Sequence, residues 1–161
     1  MIRDVVFPSD AKELNSLIRE YVAWLNIDLS YQDFEGEMKQ IESLFTLPNG
    51  QYTFAIRNSK VAGGVGFRSI NSEMAEVKRL YVRPEYQGFA LGKALMNNLL
   101  KKLTYLGYEK VVLDAVPPTV HAKLLYESMG FYEIEPYFNN PIPNTKFYCI
   151  NLREFSESKN A

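Results

Sequence analysis

Beginning at Leu91, apolar residues recur at intervals of three and four, at Leu91, Ala94, Leu95, Leu99 and Leu103. That is the period of an amphipathic helix, which is predicted to start near Ala90. The preceding residues follow a different pattern. Val77, Leu80, Tyr81 and Val82 form an extended apolar and aromatic run that stops before Pro84, because proline has no N–H to give to a sheet ladder. A strand ending near Arg83, a short loop and a helix are therefore predicted in succession. Upstream, Ile2, Val5, Val6 and Phe7 suggest a first strand, and Ser9 or Asp10 is placed to cap a helix carrying Leu14, Leu17, Ile18, Tyr21 and Leu25. Between residues 26 and 45, Asp28-Leu29-Ser30 reads as a turn, and Phe34, Met38, Ile41 and Phe45 as one helical stripe. Residues 51–57 and 61–69 read as strands joined at Asn58-Ser59, with Asn71-Ser72 as the next reversal. This antiparallel meander leads into the strand before Pro84. Residues 110–114 form a short β-branched run after Gly107, and residues 132–135 and 146–152 read as closing strands around a Pro- and Asn-rich loop at 136–144.

These elements predict a mixed α/β fold in one domain over residues 1–161, ending in a frayed tail from about residue 156. A chain of 161 residues with 47% apolar content is large enough for a real core. With 18 basic and 19 acidic residues, the formal charge is −1, so no general attraction to nucleic acid or anionic membranes is expected. The single cysteine, Cys149, excludes an internal disulfide, and with one histidine in the chain no metal site is expected. The start MIRDVVFPSD reads as neither a signal peptide nor a membrane span, and no apolar run reaches eighteen residues, so a cytoplasmic location is expected.

The loop between strand and helix carries the most chemistry. Gly88 and Ala90, with Gly92 in the first helical turn, keep side chains small where a ligand would approach the main chain. Unpaired amides at a helix N-terminus attract anions, and a diphosphate suits such a cradle; a plain tight turn is the other reading of the same residues. The spacing of residues 87–92, Gln-Gly-Phe-Ala-Leu-Gly, resembles the Gln/Arg-x-x-Gly-x-Gly/Ala signature of the GNAT superfamily of acyl-CoA-dependent N-acyltransferases. Residues 75–82, AEVKRLYV, resemble the strand that precedes that signature. Ala90 stands where the family usually has glycine, and is expected to keep an ordinary backbone conformation at the helix start.

A second stretch, residues 119–131, TVHAKLLYESMGF, is similar to the family pattern Asn-x-x-Ala-x-x-Leu-Tyr-x-x-x-Gly-Phe. Ala122, Leu125, Tyr126, Gly130 and Phe131 are in place, and Thr119 replaces the asparagine. The resemblance implies a central mixed, mostly antiparallel sheet flanked by helices, in which the strand at 110–114 splays from its neighbour to admit acetyl-CoA. It further implies that Leu80, Tyr81 and Val82 run along the cofactor, with a backbone N–H near Leu80 polarising the acyl carbonyl and main-chain groups of Val82 holding the pantetheine arm. Gln87, Gly88, Phe89, Ala90, Leu91, Gly92 and Lys93 would hold the diphosphate, with Arg83 or Lys93 adding charge, and Thr119 and Tyr126 would contact the cofactor from the second motif.

Acetyl transfer to an amine needs a proton acceptor for the ammonium, a polarised carbonyl and a proton for the departing thiolate. By resemblance Glu76 is the candidate acceptor, acting through water; the competing reading is a solvated or Lys78-paired strand glutamate. Tyr126 is the candidate donor, since an ordinary phenol is protonated at neutral pH; the competing reading is a core aromatic. His121 is read as a surface or capping residue and Cys149 as a packed thiol, which favours direct transfer in a ternary complex over an acyl-enzyme. The acceptor amine is not identified. Its pocket walls are expected from the 136–144 loop or from residues 21–34, which include Trp24, Asp28, Tyr31 and Asp33. The alternative is a noncatalytic acyl-CoA-binding or protein-interaction module. A nucleotide-dependent phosphotransferase is disfavoured because no Gly-Lys-Ser/Thr loop is present. Homodimers are common in the superfamily, although nothing in the sequence specifies an interface.

Overall fold

A computed structural model describes residues 1–155; the predicted frayed tail lies outside the described residues. A seven-stranded sheet has the order β1-β2-β3-β4-β5-β7-β6. The strands are β1 (Ile2–Asp4), β2 (Gly50–Arg57), β3 (Lys60–Ser69), β4 (Met74–Val82), β5 (Lys110–Ala115), β6 (Tyr132–Ile134) and β7 (Lys146–Asn151). All neighbours are antiparallel except β4 and β5. The helices are α1 (Ala11–Leu25), α2 (Phe34–Lys39), α3 (Ile41–Leu44), α4 (Leu91–Tyr105) and α5 (Val120–Ser128). The expected mixed, mostly antiparallel sheet with flanking helices is therefore observed.

The predicted meander forms β2, β3 and β4. Asn58 and Ser59 both have positive φ, 52° and 63°, the conformation of a type I′ hairpin turn, which matches the right-handed twist of the flanking strands. The apolar stripe of α4 is buried through Leu95, Met96, Leu99, Leu100 and Leu103 against Val65, Phe67, Val77, Val111 and Leu113. Each of these leucines contributes about 2 kcal/mol by leaving water, so packing fixes the start of α4 relative to β4. In a second cluster, Leu14, Leu17 and Ile18 of α1 meet Tyr52, Phe54 and Tyr81.

Three local expectations need correction. Asp10 does not cap α1 through its side chain; its carboxylate instead accepts hydrogen bonds from the Val6 amide at 2.8 Å and from Arg3 at 2.7 and 3.0 Å. Arg3 and the Val6 amide thus take the acceptor a cap would use. The first strand ends at Asp4, short of the apolar run, and Val6 is exposed. The stripe from Phe34 to Phe45 is two short helices, broken at Gln40, whose φ of −113° and ψ of 22° leave the helical region. Met38, Ile41 and Phe45 are nonetheless all buried, because the break redirects the chain over the same cluster.

Candidate active site at the strand fork

β4 and β5 pair through only three positions, Met74 with Lys110, Ala75 with Val111 and Glu76 with Val112. Beyond them β5 stays paired with β7 as far as Ala115, while β4 follows β3, so the sheet forks. On its other side β4 is bulged. Gly64 pairs with Tyr81 and Gly66 with Lys78, leaving Arg79 and Leu80 opposite the single residue Val65. Arg79 absorbs the extra residue with φ of 58°, a left-handed conformation that disfavours any side chain. Three interactions hold it there. The Tyr52 hydroxyl donates to the Arg79 carbonyl at 2.8 Å. The Arg79 guanidinium donates to Glu37 at 2.8 and 3.3 Å. It also donates to Gln32 at 3.0 Å. Tyr52 can lie flat over β3 because Gly64 has no side chain; a Cβ there would stand 2.3 Å from the ring. The bulge thus interrupts the pairing of β4 with β3 at Arg79 and Leu80, where β4 borders the open fork.

A cleft of about 430 Å³ opens on the outer side of the fork. Leu80, Tyr81 and Val82 line it from β4, Gln87, Gly88, Ala90, Leu91 and Gly92 from the loop and α4, and Thr119, His121, Ala122 and Leu125 from α5. Tyr86, just before the loop, and Tyr21 and Trp24 of α1 complete the wall. Most of the residues expected along a cofactor are therefore brought together. Gly88 has φ of 91° with nothing within 4 Å of where a Cβ would sit, so its main chain faces open space beside the amides of the α4 N-terminus. Ala90 does not keep an ordinary conformation: φ is 56° and ψ 29°, because the loop reaches α4 through a left-handed residue where the family pattern has glycine. Phe89 and Lys93 stand outside the lining. Phe89 is half exposed with the Arg57 guanidinium 3.6 Å from its ring centre, and Lys93 is exposed in the first turn of α4. Arg83, read as a possible phosphate contact, is turned to α1, donating to Glu13 at 2.9 Å and Glu20 at 3.1 Å.

Behind the cleft, between the diverging strands, lies a cavity of about 40 Å³ lined by residues that include Lys78, Arg79, Leu80, Asp114 and Tyr126. Leu80 and Tyr21 line both spaces. Tyr126 is buried, with its ring against Phe131 and Tyr148. Burial, chiefly, pushes its phenol above the ordinary value, with the Asp114 carboxylate adding to the effect, so it holds its proton at neutral pH. Asp114 is also raised, chiefly by burial, with Lys78 opposing. Burial and then repulsion from Arg79 lower Lys78.

Glu76 is not among the residues lining this cavity. It is 2% exposed, and both its oxygens are engaged. Arg68 donates to Oε1 at 2.7 Å, and the Tyr137 hydroxyl to Oε2 at 2.7 Å. Of the two regions expected to wall an acceptor pocket, residues 21–34 contribute to the lining of this cavity, whereas no residue of the 136–144 loop is among its lining residues. Leu25, Leu29 and Gln32 come from the first region. From the 136–144 loop, Asn140 donates to Asp114 at 3.0 Å, and Ile142 packs against Leu25, Leu29 and Val116. His121 lies at the cleft wall. Cys149 is buried in β7 and accepts from the Tyr132 hydroxyl at 3.6 Å. Sequence reading missed Lys78, Asp114 and Tyr52. The available signal for Asp114 was a lone carboxylate ending the apolar run Val111-Val112-Leu113.

Comparison with known proteins agrees with this geometry. Residues 18–131 match the sequence model of the acetyltransferase (GNAT) family. An uncharacterised N-acetyltransferase of Schizosaccharomyces pombe is 34% identical over 94% of each chain. A GNAT-family acetyltransferase from Staphylococcus aureus superposes with a TM-score of 0.78, at 23% identity, over 94% of this chain and 99% of its own. A putative acetyltransferase of Salmonella typhimurium, solved with its cofactor acetyl-CoA, superposes with a TM-score of 0.71, at 19% identity, over 94% and 93% of the two chains. With both motifs lining one cleft at the fork of the sheet and the family match spanning most of its length, this chain belongs to the GNAT family and is a GNAT-type N-acetyltransferase.

Proposed function

We propose that the outer cleft binds acetyl-CoA, that the inner cavity receives a primary amine of a small molecule or peptide, and that transfer is direct, in a ternary complex. The observation that carries this reading is continuity: Leu80 and Tyr21 line both spaces, so two ligands entering from opposite sides meet at the bulge. The cleft fits an elongated phosphorylated ligand, because the open main chain at Gly88 and the amides at the start of α4 supply donors for a diphosphate. When bound, acetyl-CoA supplies an acetyl group activated as a thioester.

The roles of this chain's residues follow from position. The main-chain N–H at Leu80, in the bulge, donates to the acyl oxygen as negative charge builds on it. The amine nitrogen forms the new C–N bond as the C–S bond breaks. Tyr126 delivers a proton to the departing sulfur, and its raised pKa makes it a donor across the neutral range. The ammonium proton passes by water to a carboxylate at the fork. Glu76 was expected in this role, but its oxygens are already occupied by Arg68 and Tyr137. We therefore assign acceptance to Asp114 and read Glu76 as a positioning residue that ties the 136–144 loop to β4. From ammonium to amide the nitrogen loses two protons, one taken by the carboxylate before attack and one that restores the Tyr126 phenol after it has protonated sulfur, so CoA leaves as the thiol with net release of one proton.

Thermal unfolding with acetyl-CoA, CoA and ATP added separately tests the cleft. A ligand at about 100 times its Kd stabilises by about 2.7 kcal/mol, and both CoA species, but not ATP, are expected to do so. In thiol-release assays across amines, Tyr126→Phe is expected to lose about 100-fold in kcat at unchanged KM for acetyl-CoA. Glu76→Gln is expected to lose stability first. Stabilisation by CoA with no turnover of any amine would favour the acyl-CoA-binding module.

A further inference from the structure

The charges around the inner cavity are unequally satisfied. Arg79 is matched by Glu37, and Glu76 by Arg68. Lys78 and Asp114 face the same cavity without meeting: no ion pair within 4.0 Å joins them among the described residues. The closest carboxylate to Lys78 is Glu76 at 3.9 Å, already taken by Arg68, and the Lys78 side chain is only 18% exposed. Among the described residues Asp114 receives one side-chain hydrogen bond, from the neutral amide of Asn140. Burying charges of opposite sign without pairing them is costly. A guest that carries both signs and bridges the gap would remove that cost.

Resting on the acetyltransferase reading of this site, we propose that the acceptor is a free α-amino acid, its ammonium seated at Asp114 and its carboxylate at Lys78. The size of the space agrees. A cavity of about 40 Å³ holds roughly three waters, room for an amino-acid head group. Tyr126 and Leu80 line the same cavity, so an ammonium at Asp114 is presented to the groups that would act on the thioester. Leu25, Leu29 and Val116 form the remaining apolar wall, which favours amino acids with uncharged side chains. The same geometry disfavours polyamines, whose second cation would approach Lys78.

The discriminating experiment offers matched acceptors to the full-length enzyme with acetyl-CoA: each of the standard amino acids, its carboxamide and its decarboxylated amine. At least one free amino acid is expected to exceed its carboxamide and amine by more than 10-fold in kcat/KM. Lys78→Met should abolish that preference by raising the KM of the amino acid about 10-fold or more, with the KM of acetyl-CoA unchanged, and Lys78→Arg should restore part of it. Calorimetric titration of the preferred amino acid into CoA-saturated enzyme supplies a readout independent of turnover: binding is expected in wild type and lost in Lys78→Met and Asp114→Asn. Amines or carboxamides reacting as well as amino acids would overturn the proposal while leaving acetyl transfer intact. Failure of every amino acid to react would also overturn it. No stabilisation by acetyl-CoA or CoA would instead refute the reading of the cleft itself.

Discussion

Replacing Tyr52 with phenylalanine removes one oxygen, yet it should impair both folding and catalysis. Tyr52 is fully buried, and its hydroxyl donates to the carbonyl of Arg79, the residue held at φ of 58° in the β4 bulge. Leaving that buried carbonyl without its donor costs about 1–3 kcal/mol. The left-handed backbone at Arg79 itself stores about 1–3 kcal/mol that surrounding contacts must hold in place. Phenylalanine fits the space, so no cavity term of consequence is added. In a chain of this length each kcal/mol shifts the midpoint by about 2–4 °C, so Tyr52→Phe should lower Tm by about 2–12 °C. Urea unfolding should show the same loss with an unchanged slope.

Catalysis should fall for a separate reason. If the bulge aims the Leu80 N–H at the acyl oxygen, loosening it displaces a donor whose complete loss elsewhere costs about 100- to 1,000-fold. A partial displacement should lower kcat by about 10-fold, while the KM for acetyl-CoA holds, because the cradle at Gly88 is untouched. Thiol release followed at saturating acetyl-CoA measures kcat directly. Gly64→Ala should act in the same direction, since its Cβ would stand 2.3 Å from the Tyr52 ring. A Tyr52→Phe enzyme with lowered stability and undiminished kcat would refute the catalytic role of the bulge. One unchanged in both would refute the energetic argument as well.

Two further perturbations test local features. Ala90→Gly should stabilise the protein by about 0.5–1 kcal/mol, because an alanine at φ of 56° costs about 1–2 kcal/mol and glycine returns part of this as lost chain entropy; a lower Tm in the variant, with CoA binding retained, would contradict the strained backbone. Asp10→Asn tests the N-terminal ion pair through its pH dependence. The hydrogen bonds from Arg3, chiefly, hold the Asp10 carboxyl below its ordinary value, so its contribution is present above about pH 4 and fades as pH falls through the folded-state pKa. The stability gap between wild type and variant should therefore be widest near neutrality and close in acid, and a gap independent of pH would exclude the pair as its source.

What the sequence made legible, and what it hid, separates along physical lines. Periodicity located β2 to β4, α1 and α4 because their buried faces repeat at two or at three to four residues. The proposed cradle stood out because a phosphate site needs small residues in a fixed local order, and residues 87–92 carry such an order in one stretch of chain. The backbone of Ala90 was misread, since alanine gives no sign of a left-handed conformation that the loop imposes. The same limit applies more strongly at the fork. Arg79 and Lys78 look like ordinary strand cations; only the bulge turns one inward to Glu37 and leaves the other beside a cavity. Glu76 looked like a free carboxylate because its partners, Arg68 and Tyr137, lie 8 and 61 residues away. Asp114 looked like the end of a strand because nothing in its local segment marks it as lining a cavity together with Lys78. Chemistry built from a local segment can be read along the chain, whereas chemistry built from unsatisfied charges depends on what every neighbour has already paired with. The proposed acceptor site belongs to the second kind: its selectivity would arise from the gap between Lys78 and Asp114 and from no motif.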